Sequence, residues 1–273
     1  MKSDVMRILT KDGVTFMRFK IFDGLDFINH AVSTRHGGVS DGECLKTLNL
    51  GFKTDDDPKN VVENYRRFCR AAGFDENRLV FAKQTHSANV RLATQSDCGK
   101  GIFRERDYTD VDASVTNEVN VPLVIHTADC VPVAFADVKN KAIGNAHCGW
   151  RGTFDRLAEV TLKKMQAEFG TEPQDVVCTI GPCICKKCYE VSEDLYVKFK
   201  EKFGYGDAIC AEGGKYFLDL ALINRHILTE CGVLEKNIAV CDLCTCCNRD
   251  DLFSHRGLGA KRGLLSSIIS IRV

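Results

Sequence analysis

Between Pro122 and Thr153 the chain reads PLVIHTADCVPVAFADVKNKAIGNAHCGWRGT, a stretch with apolar runs ended or interrupted by groups able to ligate metal or act as nucleophiles. The patterns at Leu123–Ile125 and Val131–Phe135 predict buried strands, and polar Asp137–Lys141 turns the chain back before a third run at Ala142–Ala146. Cys130 and His147 then fall at strand ends. Beyond them, Cys148–Thr153 is a glycine-flanked turn leading to a helical pattern over Phe154–Phe169, with Thr153 as the expected N-cap. Strand, turn and helix start would bring backbone N–H groups and Arg151 to one point, which suits an anion.

The rest of the chain reads as support. Val14–Ile21 alternates as a strand, and Ala31–Ser40 runs into a paired-glycine turn that sets Arg35 and His36 at a strand end. Asn49 sits between two leucines in a second tight turn. Pro58–Gly73 predicts a helix capped by Asp57, with Val61, Val62, Tyr65, Phe68 and Cys69 on one face and Gly73 as its stop. Leu79–Ala82 and Val90–Ala93 suggest a strand pair whose turn carries Gln84 and His86, and residues 95–111 suggest a mobile surface loop able to reach over a site. Further strands are expected at Asp112–Thr116, Val176–Gly181, Ile238–Val240 and Leu264–Ile271, and helices at Asp194–Phe203 and Asp219–Cys231. Strands outnumber helices and do not alternate regularly with them. The expected class is therefore α+β, a single domain over residues 1–273 with mixed β-sheets covered by helices. No glycine-rich nucleotide loop is present.

Charge and composition narrow the function. With 37 basic and 37 acidic residues the net charge is zero, so there is no bulk electrostatic footprint for nucleic acid or an anionic membrane, and any anionic ligand must be met locally. No apolar run approaches the roughly 20 residues of a membrane span, and the first residues lack an apolar signal core; the expectation is a cytoplasmic protein, and a monomer. Fifteen cysteines in such a compartment read as reduced thiols. The clusters Cys183–Cys188 and Cys241–Cys247 contain C-x-x-C pairs at Cys185/Cys188 and Cys241/Cys244, the spacing of a zinc knuckle. Neither pair is followed by a ribbon-type hairpin, so buried or incidental thiols are the expected reading.

Two kinds of chemistry fit the central stretch. His86, Cys130 and His147 would make a catalytic zinc site with one position open, where a bound water has a pKa of about 7. Alternatively His147 acts as general base for a Cys130 nucleophile, with Asp129 or Asp112 orienting the imidazole. Spacing leaves both open.

Lys83-Gln-Thr-His86, Asp112-Ala-Ser-Val-Thr116, Thr127-Ala-Asp-Cys-Val-Pro132, Ala146-His-Cys-Gly-Trp-Arg-Gly-Thr153, Ile180-Gly-Pro-Cys183, Cys188-Tyr-Glu-Val191 and Phe217-Leu-Asp-Leu220 resemble, in order, the motifs of the YfiH family. Its members have been called laccase-domain or multicopper polyphenol oxidoreductases and are also described as purine nucleoside phosphorylases. The resemblance runs from about Ser33 to Arg262. It implies His86, Cys130 and His147 as zinc ligands, with copper possible from the general affinity order. It also implies phosphorolysis of adenosine, inosine, guanosine and methylthioadenosine, and deamination of adenosine. Arg35, Asn49 and Gln84 match positions of the same pocket, and Arg35 and Arg151 are the expected phosphate holders. Seven histidines scattered along the chain suit a multicopper oxidase poorly. A Cys–His amidase acting on peptidoglycan precursors, a copper-dependent phenol oxidase and a non-enzymatic metal binder are the competing classes. Ser87 and Cys148 depart from the small residues usual there, and Gly257 stands where a second arginine is common.

Overall fold

The computed structural model describes residues 1–272. From the start of the chain come β1 (Met6–Lys11), β2 (Val14–Phe19), β3 (Ile28–Ser33), α1 (Pro58–Ala72), β4 (Val80–Phe81) and β5 (Val90–Leu92). The middle holds β6 (Ala113–Thr116), β7 (Leu123–Thr127), β8 (Val131–Asp137), β9 (Ala142–Cys148), α2 (Trp150–Phe154), α3 (Leu157–Phe169) and β10 (Val176–Ile180). Then follow β11 (Glu190–Val191), α4 (Glu193–Phe203), β12 (Ile209–Glu212), β13 (Lys215–Leu218), α5 (Leu220–Glu230), β14 (Ile238–Val240), α6 (His255–Leu258) and β15 (Leu265–Ile271).

The class is α+β with mixed sheets. One six-stranded sheet has the order β1-β2-β3-β15-β7-β4, the other β14-β10-β8-β9-β6-β5, and a small third sheet is β11-β13-β12. Alternation along the strands explains how the layers stack. In β8, Val131, Val133 and Phe135 face the helical side with Leu157, Leu162 and Ile227, whereas Ala134 and Ala136 face the first sheet with Leu123, Leu265 and Ile269. On that first sheet Ala31, Val124 and Ile268 point the other way, onto Tyr65, Phe68 and Cys69 of α1. The layers therefore run α1, first sheet, second sheet, then α3 and α5. Both strands are covered on both faces, so all seven residues of β8 and all seven of β15 are buried, the serines Ser266, Ser267 and Ser270 included. Asn145 on β9 crosses the dry interface, its amide donating to the carbonyls of Leu123 and Ser267 at 3.0 and 2.9 Å. Among the described residues no helix is long and apolar enough to cross a membrane.

Three local expectations change. The stretch after β9 is two helices rather than one, because Arg156 adopts a left-handed φ of 57° between them; Gly149 is the N-cap of α2, and Thr153 is buried inside it with its hydroxyl donating to the carbonyl of Cys148. The strands β4 and β5 do not pair. They belong to different sheets, so the segment with His86 is a crossing between layers instead of a hairpin turn. Residues 95–111 are tied down near both ends: buried Asp97 accepts from Lys100 and Arg91, both at 2.8 Å, and the Tyr108 hydroxyl donates to the carbonyl of Phe81 at 2.8 Å.

Candidate metal centre and cleft

The chain passes between the two large sheets twice at one end of the sandwich. Ala82–Asn89 links β4 to β5, and Ala128–Cys130 links β7 to β8. His147, near the end of β9, lies between these crossings. One donor atom from each of His86, Cys130 and His147 falls within 4.8 Å of the others. The Cys130 Sγ is 3.9 Å from the His86 Nε2, and the two imidazoles meet edge to face with centroids 4.9 Å apart.

Both crossings are held in left-handed backbone at non-glycine residues, His86 at φ 65° and Asp129 at φ 89°. Such positions cost about 1–3 kcal/mol each and persist only where neighbours over-determine them. Asp112 does this for the first crossing. Its fully buried carboxylate accepts from the amides of Thr85, His86 and Ser87 at 2.9, 3.1 and 2.8 Å and from the Ser87 hydroxyl at 3.0 Å, so serine adds a bond that glycine lacks. The same carboxylate accepts from His147 Nδ1 at 2.8 Å, which leaves Nε2 facing the other donors. Asp129 performs a different task. It accepts from the Thr245 hydroxyl and the Arg256 amide, both at 2.6 Å, while the Ile184 amide donates to its carbonyl at 3.0 Å. Of the two aspartates expected behind the imidazole, the structure selects Asp112.

Burial opposes ionisation of Asp112, yet the bonds from His147 and from the Thr85 and Ser87 amides hold it down to about 2. For the metal-free pair, burial again opposes charge. The His147 imidazolium and the bonds from both histidines nevertheless hold the Cys130 thiol at about 6, and Cys130 with Asp112 holds His147 up at about 9. A thiolate, an oriented imidazole and a second imidazole form a donor set suited to zinc. The surroundings leave room for little else: a Cβ on Gly149 would come to 2.9 Å from His86 Cδ2 and 3.1 Å from Cys130 Sγ.

These donors lie on the wall of a cleft of about 250 Å³ that also contains Phe52, Phe81, Gln84 and His126 together with Lys53, Lys83, Arg106 and Arg262. Burial pushes His126 down to about 4, so it is neutral at physiological pH; its Nε2 lies 2.6 Å from the hydroxyl of Tyr65. Arg262 is half-buried, and its Nε has no partner.

The expected pocket residues divide. Gln84 lines the cleft, but both ends of its amide are engaged with the backbone of His126 at 2.8 Å. Arg35, Asn49 and Arg151 lie outside the lining. The Arg35 guanidinium donates to the carbonyls of Lys46 and Arg249 at 2.7 and 2.6 Å and stacks on Phe253. Asn49 is buried, bonded to Thr54 and Asp56 and accepting from the amide of Leu264, so it shapes the wall from behind. Arg151 is exposed and lies over the Trp150 ring at 4.2 Å. The cations that do line the cleft, Lys53, Lys83, Arg106 and Arg262, are not singled out by the sequence; in a chain with 37 basic residues, charge alone does not mark them.

The description multi-copper polyphenol oxidoreductase laccase belongs to a family model that matches residues 29–272. A purine nucleoside phosphorylase of Bacteroides thetaiotaomicron is 34% identical over 268 residues, covering 96% of this chain and 98% of its own. The adenosine deaminase RL5, from an unknown prokaryotic organism, is 31% identical over 237 residues, 85% of this chain and 90% of its own. The crystal structure of YlmD from Geobacillus stearothermophilus superposes with a TM-score of 0.89 at 31% identity, covering 99% of this chain and 100% of that one.

Proposed function

The chain belongs to the multi-copper polyphenol oxidoreductase laccase family, the YfiH family, and from that premise we propose that it is a zinc-dependent purine nucleoside enzyme. Its reactions are phosphorolysis of adenosine, inosine, guanosine and methylthioadenosine to base and the corresponding (methylthio)ribose 1-phosphate, and deamination of adenosine. The observation that carries this reading is the cleft itself, in which three converging metal donors share a wall with aromatic rings and arginines.

Zinc on His86, Cys130 and His147 would supply a Lewis acid and bring the pKa of a water to about 7. Phe52 and Phe81 offer apolar surface to a purine. Lys83, Arg106 and Arg262 hold phosphate, replacing the expected Arg35 and Arg151, and the unpartnered Nε of Arg262 is available to it. In phosphorolysis a phosphate oxygen bonds to the ribose C1′ as the glycosidic bond breaks, and the proton that hydrogen phosphate gives up ends on the departing base nitrogen. Cations around the phosphate keep it positioned as C1′ becomes cation-like. Asp112 keeps His147 in one tautomer throughout.

The test is product chromatography after incubation of zinc-loaded protein with adenosine, with and without phosphate, beside Cys130→Ala. Adenine formed only with phosphate, or inosine in either case, and both lost in the variant, is the expected result. Absence of both products from the unaltered protein would sink the reading. A second reading rests on the thiol of Cys130 beside His147 and Asp112, a nucleophile–base–orienter arrangement suited to a Cys–His amidase. It requires amide hydrolysis that persists in metal-stripped protein and is abolished by alkylation.

A further inference from the structure

Away from the cleft, a second group of metal-binding side chains comes together. Cys185 and Cys188 flank the short turn before β11, Cys244 and Cys247 lie in the turns after β14, and one sulfur from each falls within 4.8 Å of the others. We propose that these four cysteines hold a structural zinc ion, which clamps residues 181–191 to residues 241–256 behind the cleft.

Each half supplies a C-x-x-C pair, and the four thiols make an all-sulfur set of the kind tetrahedral zinc takes. Around a zinc with bonds of about 2.3 Å, ligand sulfurs sit about 3.8 Å apart; here the Sγ atoms of Cys188 and Cys247 are 3.4 Å apart, so small side-chain adjustments are enough. The backbone is arranged for thiolate as well. The amides of Cys185 and Cys247 both donate to the Cys244 Sγ, at 3.3 and 3.4 Å, one from each side of the junction. The pairing differs from the one spacing suggests. Cys241 turns away to the Met6 sulfur at 3.3 Å, and Cys183 is buried in the apolar core, leaving Cys244 and Cys247 to complete the set.

The position gives the clamp a purpose. Residues Ile184, Thr245 and Arg256, which together hold Asp129 beside Cys130, all lie on the two joined segments. The Arg256 guanidinium ties them again, donating to the carbonyls of Cys188 and Glu190 at 2.8 and 3.0 Å. A metal at the four cysteines therefore fixes the support of the Asp129–Cys130 crossing without touching the cleft.

The two metal sites are separable in the full-length protein. Cys130→Ala removes a ligand of the cleft site only, so metal content and X-ray absorption of that variant read the cysteine site alone. About one zinc per chain with a sulfur-only shell is expected, falling at least tenfold when Cys185→Ser and Cys247→Ser are added. Because those additions could unfold the chain, the unaltered protein provides a second readout: alkylation before and after chelation, mapped by mass spectrometry, should show these four thiols protected together and released together. A Cys188–Cys247 disulfide in protein purified without oxidant, an iron chromophore, or Cys130→Ala protein with no sulfur-bound metal would each overturn the proposal.

Discussion

Gly149 is where a single methyl group reaches the chemistry. Its Cβ would press on both His86 and Cys130, and neither can retreat while their crossings are held by Asp112 and Asp129. Gly149→Ala should weaken metal binding at the cleft by about 10–100-fold, with little change in far-ultraviolet circular dichroism; unchanged affinity by competition with a chromophoric chelator would show that the donors can spread. Asp112 combines orientation and stability. Because its folded pKa, about 2, lies below the ordinary 3.8, its contribution is fully present above pH 3.8 and is lost as the pH falls toward 2. Asp112→Asn should cost about 2–3 kcal/mol at neutral pH, and urea unfolding across pH 2–5 should show a flatter acid limb than the parent protein. Arg262→Met should raise the KM for phosphate about tenfold or more while leaving that for nucleoside within about twofold; a uniform loss in kcat would instead assign Arg262 to the wall. At this scale the place where Cys130 and His147 meet was readable because both interrupt apolar runs at strand ends, although spacing left a metal site and a thiol nucleophile equally open. Arg106 and Arg262 were not, since each is brought to the cleft by tertiary folding from a polar stretch like many others.

At the scale of elements, α1 is tied to its face of the first sheet by one side chain. The Tyr65 hydroxyl, itself buried, contacts the Leu50 carbonyl, His126 Nε2 and Ser266 Oγ at 3.0, 2.6 and 2.7 Å. Tyr65→Phe keeps the ring packing and strands polar partners, so a loss of about 1–3 kcal/mol in chemical denaturation is expected, with a faster exchange of the His126 side-chain proton by NMR. Should stability stay the same, buried water must satisfy those groups. The helix itself was readable end to end, from the Asp57 cap to Gly73, because capping and periodicity are local properties. The failure of β4 and β5 to pair was hidden for the opposite reason: two short apolar runs with a turn between them look alike whether they join one sheet or cross between two. The break before α3 was equally silent, since Arg156 is an ordinary helix former placed in a left-handed conformation and tied to Glu230 at 2.8 Å.

For the whole molecule, equal numbers of acidic and basic residues put the isoelectric point near 7.0. Self-repulsion is then weakest at neutral pH, and precipitation by polyethylene glycol should need the least precipitant there and more at pH 5.5 or 8.5; a minimum displaced by more than a unit would show that bound metal or buried ionisation resets the charge. The α+β class followed from the count and irregular order of strands, but the sheet order did not, because registers between distant strands leave no mark in either partner alone. The most consequential of these is β15, which lies between β3 and β7 at the heart of the first sheet although it comes far later than both along the chain. During synthesis β3 and β7 emerge long before the strand that joins them. Each then waits with an open edge, which is a template for pairing with other chains. Growing chains of this protein should accordingly depend on a holding chaperone until Leu265–Ile271 has left the ribosome, and the cleft, whose wall includes Leu264 and Arg262, stays incomplete until that stretch has been made.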